Sequence, residues 1–409
     1  MIQLYPNPNV SFDCPHCEIH LDILDWYIPG MRVLAKLRCP KCSGIYFGDF
    51  SVGQALYSPM LLEKETGQVT DPNHAAWFSD WLKKGYRDRS NDEIGFTVHQ
   101  VKPVRTEARL ILLNCLDVLY GHCVLKLLNA QYYLDHCPDM DLVVMVPSFL
   151  KWMVPDGVTA IWEIDWQLKT GYLWNEWLAE KIRDLAAAYR EVFISAAYSH
   201  PHPQDYEISR FVGVQPFEVS NWEEGINHPR ITFIWRADRL WAPEKKRPAR
   251  FWRNILLQIQ TERVTKLANK LRAKIPGLEF TVTGMGTNKK LPGWIIDLRT
   301  DQVTDSQERQ WCKLYAESHV VIGVHGSNML IPSSLAGAVI DLMPNDRWGN
   351  ILQDILFRRD DLRESLYRHR FIPLQSTPDV VANIAEFLLF SHGNMMATMS
   401  RNTTQHLGE

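Results

Sequence analysis

The sequence predicts an α/β protein of two consecutive doubly wound domains preceded by a small four-cysteine zinc ribbon, and three observations predict it. Two CxxC pairs, Cys14 with Cys17 and Cys39 with Cys42, stand near the start of the chain. From Pro103 onward, near-continuous apolar runs alternate with longer amphipathic segments, the pattern of parallel strands covered on both faces by helices. A polar stretch from Gly213 to Arg230, with the Gly, Pro and Asn content of a linker, divides that series in two.

The 409 residues, 46% hydrophobic and 22% charged, are enough for two or three domains and for cores that need no disulfide support. With 44 basic and 47 acidic side chains, a surface built as a whole for nucleic acid or an anionic membrane is excluded, and no nucleic-acid partner is expected. Met1 to Val10 has no basic region followed by an apolar one, so no secretory signal is visible and the chain is expected in the cytoplasm. The longest apolar runs fall far short of the roughly 20 residues of a membrane helix, so no span is expected. Cysteines in that reducing compartment read as ligands or core residues.

Each CxxC turns two thiolates toward one point, and the two together complete a four-thiolate shell for structural zinc. The intervening 21 residues carry alternating apolar positions and a Pro29-Gly30 turn, a hairpin pattern. Residues 1–50 are therefore the ribbon. Residues 51–102 read as a connector whose helix, from His74 to Tyr86, docks Trp77, Phe78, Trp81 and Leu82.

Residues 103–222 form the first doubly wound domain, with strands at Arg109 to Leu116, Asp141 to Val146, Thr159 to Ile164 and Glu191 to Ala196, and helices at Gly121 to His136 and Trp174 to Tyr189. Residues 223–391 form the second. Its strands are expected at Ile231 to Trp235, Glu279 to Gly284, Trp294 to Leu298, His319 to Val324 and Ala338 to Met343, and its helices at Phe251 to Lys274, Asp305 to Glu317, Asn328 to Ala336 and Pro378 to Phe390. Residues 392–409 read as a mobile polar tail. Two such domains imply a cleft, with ligands at the carboxyl ends of the strands.

Three clusters carry chemistry. A buried strand ends in His325 and Gly326, after which Ser327 or Asn328 caps a short helix whose free amides suit a phosphate. Arg236 and Arg239 follow another strand, in a stretch to Arg253 with seven basic and two acidic residues; they can fork onto a diphosphate and neutralise a leaving group. In the first domain, Asp117 and His122 flank a strand-to-helix turn, and either one is a candidate general base. Glu163, Asp165, His200 and His202 fall on the same side by strand order. The one DxD, Asp139-Met-Asp141, precedes a strand instead of following it. Trp162, Trp166, Trp174, Trp235 and Trp241 fall near strand ends, where core packing competes with stacking on sugar or base rings.

The run from His319 to Pro344, with Arg236 to Arg239 and Tyr120-Gly-His122, resembles the GT-B fold glycosyltransferases of the family that includes plant xylosyl and arabinosyl transferases and the EGF-domain O-linked N-acetylglucosaminyltransferase. The shared features are a strand leading into His-Gly, a helix, and a second apolar strand bearing an acid, here Asp341; the residues after His325-Gly326 depart from that family's motif. The resemblance covers roughly residues 109–390. It implies an acceptor side in the first domain for a saccharide or protein, a nucleotide-sugar side in the second, and inverting transfer with no catalytic metal. A polysaccharide- or nucleotide-binding interaction protein and a sugar-nucleotide epimerase of the same architecture are the alternatives.

Overall fold

The computed structural model describes the chain except for residues 106–107, 197–205, 224, 244–249, 287–288, 357–360 and 406–409, together with the side chains at 250–251, 352–354, 364–365 and 399–405. His200, His202, Lys245, Lys246 and Arg247 lie outside the described residues. The chain divides into two compact units, Met1–Glu207 and Ile208–Glu409.

The first unit opens with β1 (Ile2–Tyr5) and a five-stranded antiparallel sheet of β2 (Asp22–Tyr27), β3 (Leu34–Arg38), β4 (Ile45–Asp49), β5 (Leu61–Glu63) and β6 (Val69–Thr70), in that order. The first two strands of this sheet are the hairpin expected around Pro29-Gly30, and the last two extend it into the stretch read as connector. Helix α1 (Ala76–Arg87) buries Phe78, Leu82 and Tyr86 against Leu34, Phe47 and Leu62. Trp77, expected on that docking face, is instead 51% exposed, one position ahead of the buried stripe.

There follow β7 (Phe96–Gln100), β8 (Arg109–Asn114), α2 (Tyr120–Leu128), α3 (Ala130–His136), β9 (Asp141–Pro147), β10 (Ala160–Ile164), α4 (Glu176–Ala186) and β11 (Glu191–Ile194). They build a six-stranded sheet of order β1-β11-β8-β9-β10-β7. The four inner strands are parallel, and β1 and β7 pair antiparallel on the two edges. The helix expected from Gly121 to His136 is two helices, because the Asn129 side-chain amide donates to the carbonyls of Leu125 and Lys126 and closes the first.

The second unit contains α5 (Ser209–Val212), β12 (Arg230–Arg236), α6 (Arg250–Lys274), β13 (Glu279–Met285), β14 (Ile296–Thr300), α7 (Asp305–Ala316), β15 (Val320–Val324), α8 (Leu330–Leu335), β16 (Val339–Met343), α9 (Leu362–Ser365), β17 (His369–Pro373), α10 (Pro378–Phe390) and α11 (His392–Gln405). Its six strands are all parallel, in the order β14-β13-β12-β15-β16-β17. Counted within the unit this is 3-2-1-4-5-6, the Rossmann order, whose reversal falls between β12 and β15. The polar stretch read as an interdomain linker belongs to this unit, where Trp222 is fully buried among the core side chains. Residues 392–405, expected as a mobile tail, are helical. His392 stacks on Trp222 and bonds the buried Arg368, which ties that helix to the body.

All five tryptophans placed near strand ends are buried, so their role is packing. Trp174 fills the core beneath the antiparallel sheet, edge-on to Phe47 and Tyr86, while Trp235 and Trp241 lie in the core of the second unit. No described helix is long and apolar enough to cross a membrane.

Candidate functional site

The four early cysteines converge, with their sulfurs all within 4.8 Å of one another. The two CxxC turns repeat one geometry: the residue after each second cysteine, Glu18 and Ser43, takes a left-handed φ of 55° and 60°. Cys14 Sγ and Cys42 Sγ lie 3.7 Å apart. Four thiolates about 2.3 Å from a tetrahedral zinc would be separated by about 3.8 Å, so the residues fit such an ion. Their shell would be closed, which suits a metal that holds the fold together and leaves no position for substrate.

In the first unit, sheet order reverses between β8 and β11, and the chain leaving β8 carries Asn114, Asp117 and His122 at that point. His122 and Lys126 are one helical turn apart on α2, so both side chains reach back to Asp117. Lys126 Nζ is 2.8 Å from Asp117 Oδ2, and His122 Nδ1 is 3.2 Å from Oδ1. Asp117 Oδ1 also accepts the backbone N–H of Val118 at 2.7 Å.

Burial by itself pushes the Asp117 carboxyl pKa up, but Lys126 and His122 outweigh it and hold the group well below the usual carboxylate range. Asp117 is 2% exposed, whereas the His122 side chain is 21% exposed. The two candidate bases thus separate. A buried carboxylate held ionised by a lysine has little affinity for a proton, and the imidazole beside it is the group open to solvent.

The antiparallel sheet meets this point directly. The Asn114 side-chain amide donates to the Gly30 carbonyl at 2.9 Å, and a Cβ at Gly30 would collide with the Trp166 ring. Trp166 in turn donates its indole N–H to the Asp117 carbonyl. A second buried ion pair, Arg32 with Asp49 at 2.6 Å, shares with Asp117 and Lys126 the wall of a cavity of about 10 Å³. Sequence reasoning missed Arg32, Gln54 and Lys126, which are brought to Asp117 by tertiary packing and helical phase.

In the second unit, the reversal between β12 and β15 gathers Arg239, His325 and Gly326. The Arg239 guanidinium donates to the His325 carbonyl at 2.9 Å and lies against Gly326, where any Cβ would collide with it. Gly326 has φ of 144°, a conformation that favours glycine on its own account. The His325 ring is 2% exposed and faces Asp341, with Nδ1 at 3.6 Å from Oδ2; His369 Nε2 approaches the same oxygen at 2.8 Å. Burial pushes the Asp341 pKa up, yet bonds from the two imidazoles keep it below the ordinary value. His369, on an unexpected edge strand, was not among the sequence candidates.

Two expectations for this unit change. Neither Ser327 nor Asn328 caps a helix: Ser327–Met329 is a single 3-10 turn, α8 has only six residues, and the Asn328 amide donates back to the Val324 carbonyl. A segment that short presents no extended helix dipole, so the anion argument moves to Arg239. Arg236 is forked onto Asp238 through two contacts of 2.8 Å, which leaves it a weaker candidate than Arg239. Away from these clusters, Glu163 is bound to His99 and Lys151, and the DxD acids are engaged at the other end of β9, Asp139 with Arg109 and Asp141 with Thr159.

No family model matches the sequence, and no curated protein matches it. Solved structures do show likenesses. The Escherichia coli ADP-heptose LPS heptosyltransferase II is 14% identical, with a TM-score of 0.38 over 70% of this chain and 99% of that one. A family 9 glycosyl transferase from Veillonella parvula is 12% identical, with a TM-score of 0.41 over 71% and 99%. A putative UDP-N-acetylglucosamine 2-epimerase from Listeria monocytogenes is 9% identical, with a TM-score of 0.40 over 71% and 91%. Likenesses this distant do not fix a reaction, so the chemistry rests on the residues.

Proposed function

We propose that this chain is a glycosyltransferase that moves a sugar from a nucleoside diphosphate sugar to a hydroxyl of a saccharide or protein acceptor, by single inverting displacement without a catalytic metal. The observation that carries the reading is Arg239 seated on the His325-Gly326 turn at the reversal point of a 3-2-1-4-5-6 sheet. Parallel sheets bind ligands there, and a guanidinium offers a planar fork to phosphate oxygens. In this reading the second unit holds the diphosphate and the first supplies the base.

The acceptor hydroxyl loses its proton to His122 Nε2 as its oxygen bonds the anomeric carbon. The bond from that carbon to the phosphate oxygen breaks, and the nucleoside diphosphate leaves with the electron pair, its charge met by Arg239. Asp117 steadies the imidazolium that forms. The engagement of Asp139 and Asp141 in structural pairs supports a displacement that uses arginine in place of a carboxylate-bound metal. The cysteine cluster would hold zinc as a structural ion.

A thermal-shift screen tests the reading. At least one of ADP, UDP, GDP and CDP should raise the melting temperature of the wild type, and Arg239→Ala should abolish the shift. A flat response to all four would favour a non-enzymatic interaction protein, and interconversion of free UDP-sugars without acceptor would make the chain an epimerase.

A further inference from the structure

The cysteine-held sheet does more than cap the first unit. After β4, Val52 leads into a 3-10 turn at Gly53–Leu56. Gly53 takes φ of 57° and donates its N–H to the Ala196 carbonyl at 2.8 Å, which pins the turn beside the end of β11. The turn projects Gln54, whose side-chain Nε2 lies 3.3 Å from His122 Nδ1, the same nitrogen that faces Asp117.

That shared nitrogen sets a choice. If Nδ1 carries the proton, it donates to Asp117, Nε2 holds the lone pair, and the ring can act as a base. If Nδ1 instead accepts from a Gln54 N–H, the proton sits on Nε2 and the base is lost. A hydrogen bond to a carboxylate is about twice as strong as one to a neutral amide, and Lys126 keeps Asp117 ionised, so the first arrangement prevails. That arrangement calls for the Gln54 amide rotated by 180°, with Oε1 in the place of Nε2 as an acceptor of the shared Nδ1–H, because the two ends of an amide are assigned from the bonding network.

We propose that Gln54, carried on the turn that leaves the cysteine-held sheet, is a positioning residue that fixes the His122 imidazole with its proton on Nδ1 and Nε2 directed at substrate. The proposal rests on the reading of His122 as the base, and its test is independent of activity. Ring nitrogens of the full-length, 15N-labelled protein are read by long-range 1H–15N correlation, with His122 assigned from the His122→Gln spectrum. Wild type should show the Nδ1–H tautomer at His122. Gln54→Leu and Gln54→Ala, checked by thermal melts to be folded, should shift the ring nitrogens toward the averaged values of exchanging tautomers. Gln54→Glu, an acceptor that cannot donate, should restore the wild-type pattern.

Identical His122 nitrogen shifts in the wild type, Gln54→Leu and Gln54→Ala would overturn the proposal, as would failure of Gln54→Glu to restore the pattern. In a transfer assay Gln54→Leu should lower kcat by about tenfold at unchanged donor KM, because the base is loosened but not removed. If the ring nitrogens respond to Gln54 while His122→Gln still transfers sugar at the wild-type rate, the base reading fails and the positioning stands. If His122→Gln is inactive while the ring nitrogens ignore Gln54, the base reading stands and the positioning role falls.

Discussion

Each unit sets a histidine against a buried aspartate near the point where the parallel strands of its sheet reverse order, and the two pairs differ in exposure and in their partners. In the first unit the ring projects from helix α2 and is 21% exposed, with Nδ1 committed to Asp117 and Gln54. In the second, His325 ends a strand, is 2% exposed, and shares Asp341 with His369. What its turn presents is the backbone that Arg239 covers. On the proposed reading the first arrangement serves proton transfer, and the second sets a cation on a tight turn to meet an anion. A histidine beside an acid is thus not by itself a catalytic signature; exposure and the partner of each ring nitrogen decide its role.

The largest way to break the comparison is to disrupt the four-cysteine cluster. Structural zinc is worth on the order of 10 kcal/mol or more in small metal modules, and the antiparallel sheet and the turn after it reach Asn114 through Gly30 and His122 through Gln54. Cys14→Ser combined with Cys39→Ser should therefore abolish transfer and unfold the first unit, read by hydrogen exchange, and metal analysis of the wild type should find one zinc per chain. Exchange protection in the second unit should persist.

Next in size is His122→Gln. Loss of a general base lowers turnover by roughly 10²- to 10⁴-fold, so kcat should fall by that amount while the dissociation constant for the nucleoside diphosphate stays within about twofold of wild type. His325→Gln should act differently, lowering the melting temperature, because its ring is packed and not presented.

Acid should separate the units as well. His319 in the second unit is packed edge-on against Phe217 and Trp222, and burial is the main cause that lowers its pKa to about 4, with Arg230 adding to it. The sign follows from protons bound: between about 6.5 and 4 the unfolded chain protonates this histidine and the folded one does not, so stability is full above 6.5 and falls as the pH drops toward 4. The shift corresponds to roughly 3 kcal/mol, and urea titrations at pH 7 and pH 4.5 should show most of that loss, reduced in His319→Asn. The smallest effect is expected for Arg236→Ala. With its guanidinium already forked onto Asp238, donor affinity should change by less than about threefold.

Much of the fold was legible because the inner strands are buried on both faces and read as apolar runs, as in β8, β9, β12, β15 and β16. The edge strands β1, β7 and β17 were not: β7 is made of exposed and half-buried residues with no strict alternation, and only its long-range pairing with β10 makes it a strand. In the site, the cysteine spacing and the His325-Gly326 turn are local features and stood out. The seat of Arg239 on a turn 86 residues away and the approach of Gln54 to a histidine 68 residues away are products of packing that no local pattern announces. The cap expected at Ser327 or Asn328 failed for a local reason, since Asn328 bonds backward to Val324.

The most direct measurement is calorimetric titration of the nucleoside diphosphate that stabilises the wild type into three proteins: wild type, Arg239→Ala and His122→Gln. Loss of a charge-assisted phosphate contact is worth about 1.5 to 3 kcal/mol, so Arg239→Ala should bind about 10- to 150-fold more weakly while His122→Gln binds as the wild type does. Unchanged affinity in Arg239→Ala, or an equal loss in both variants, would contradict the division of labour between the two units.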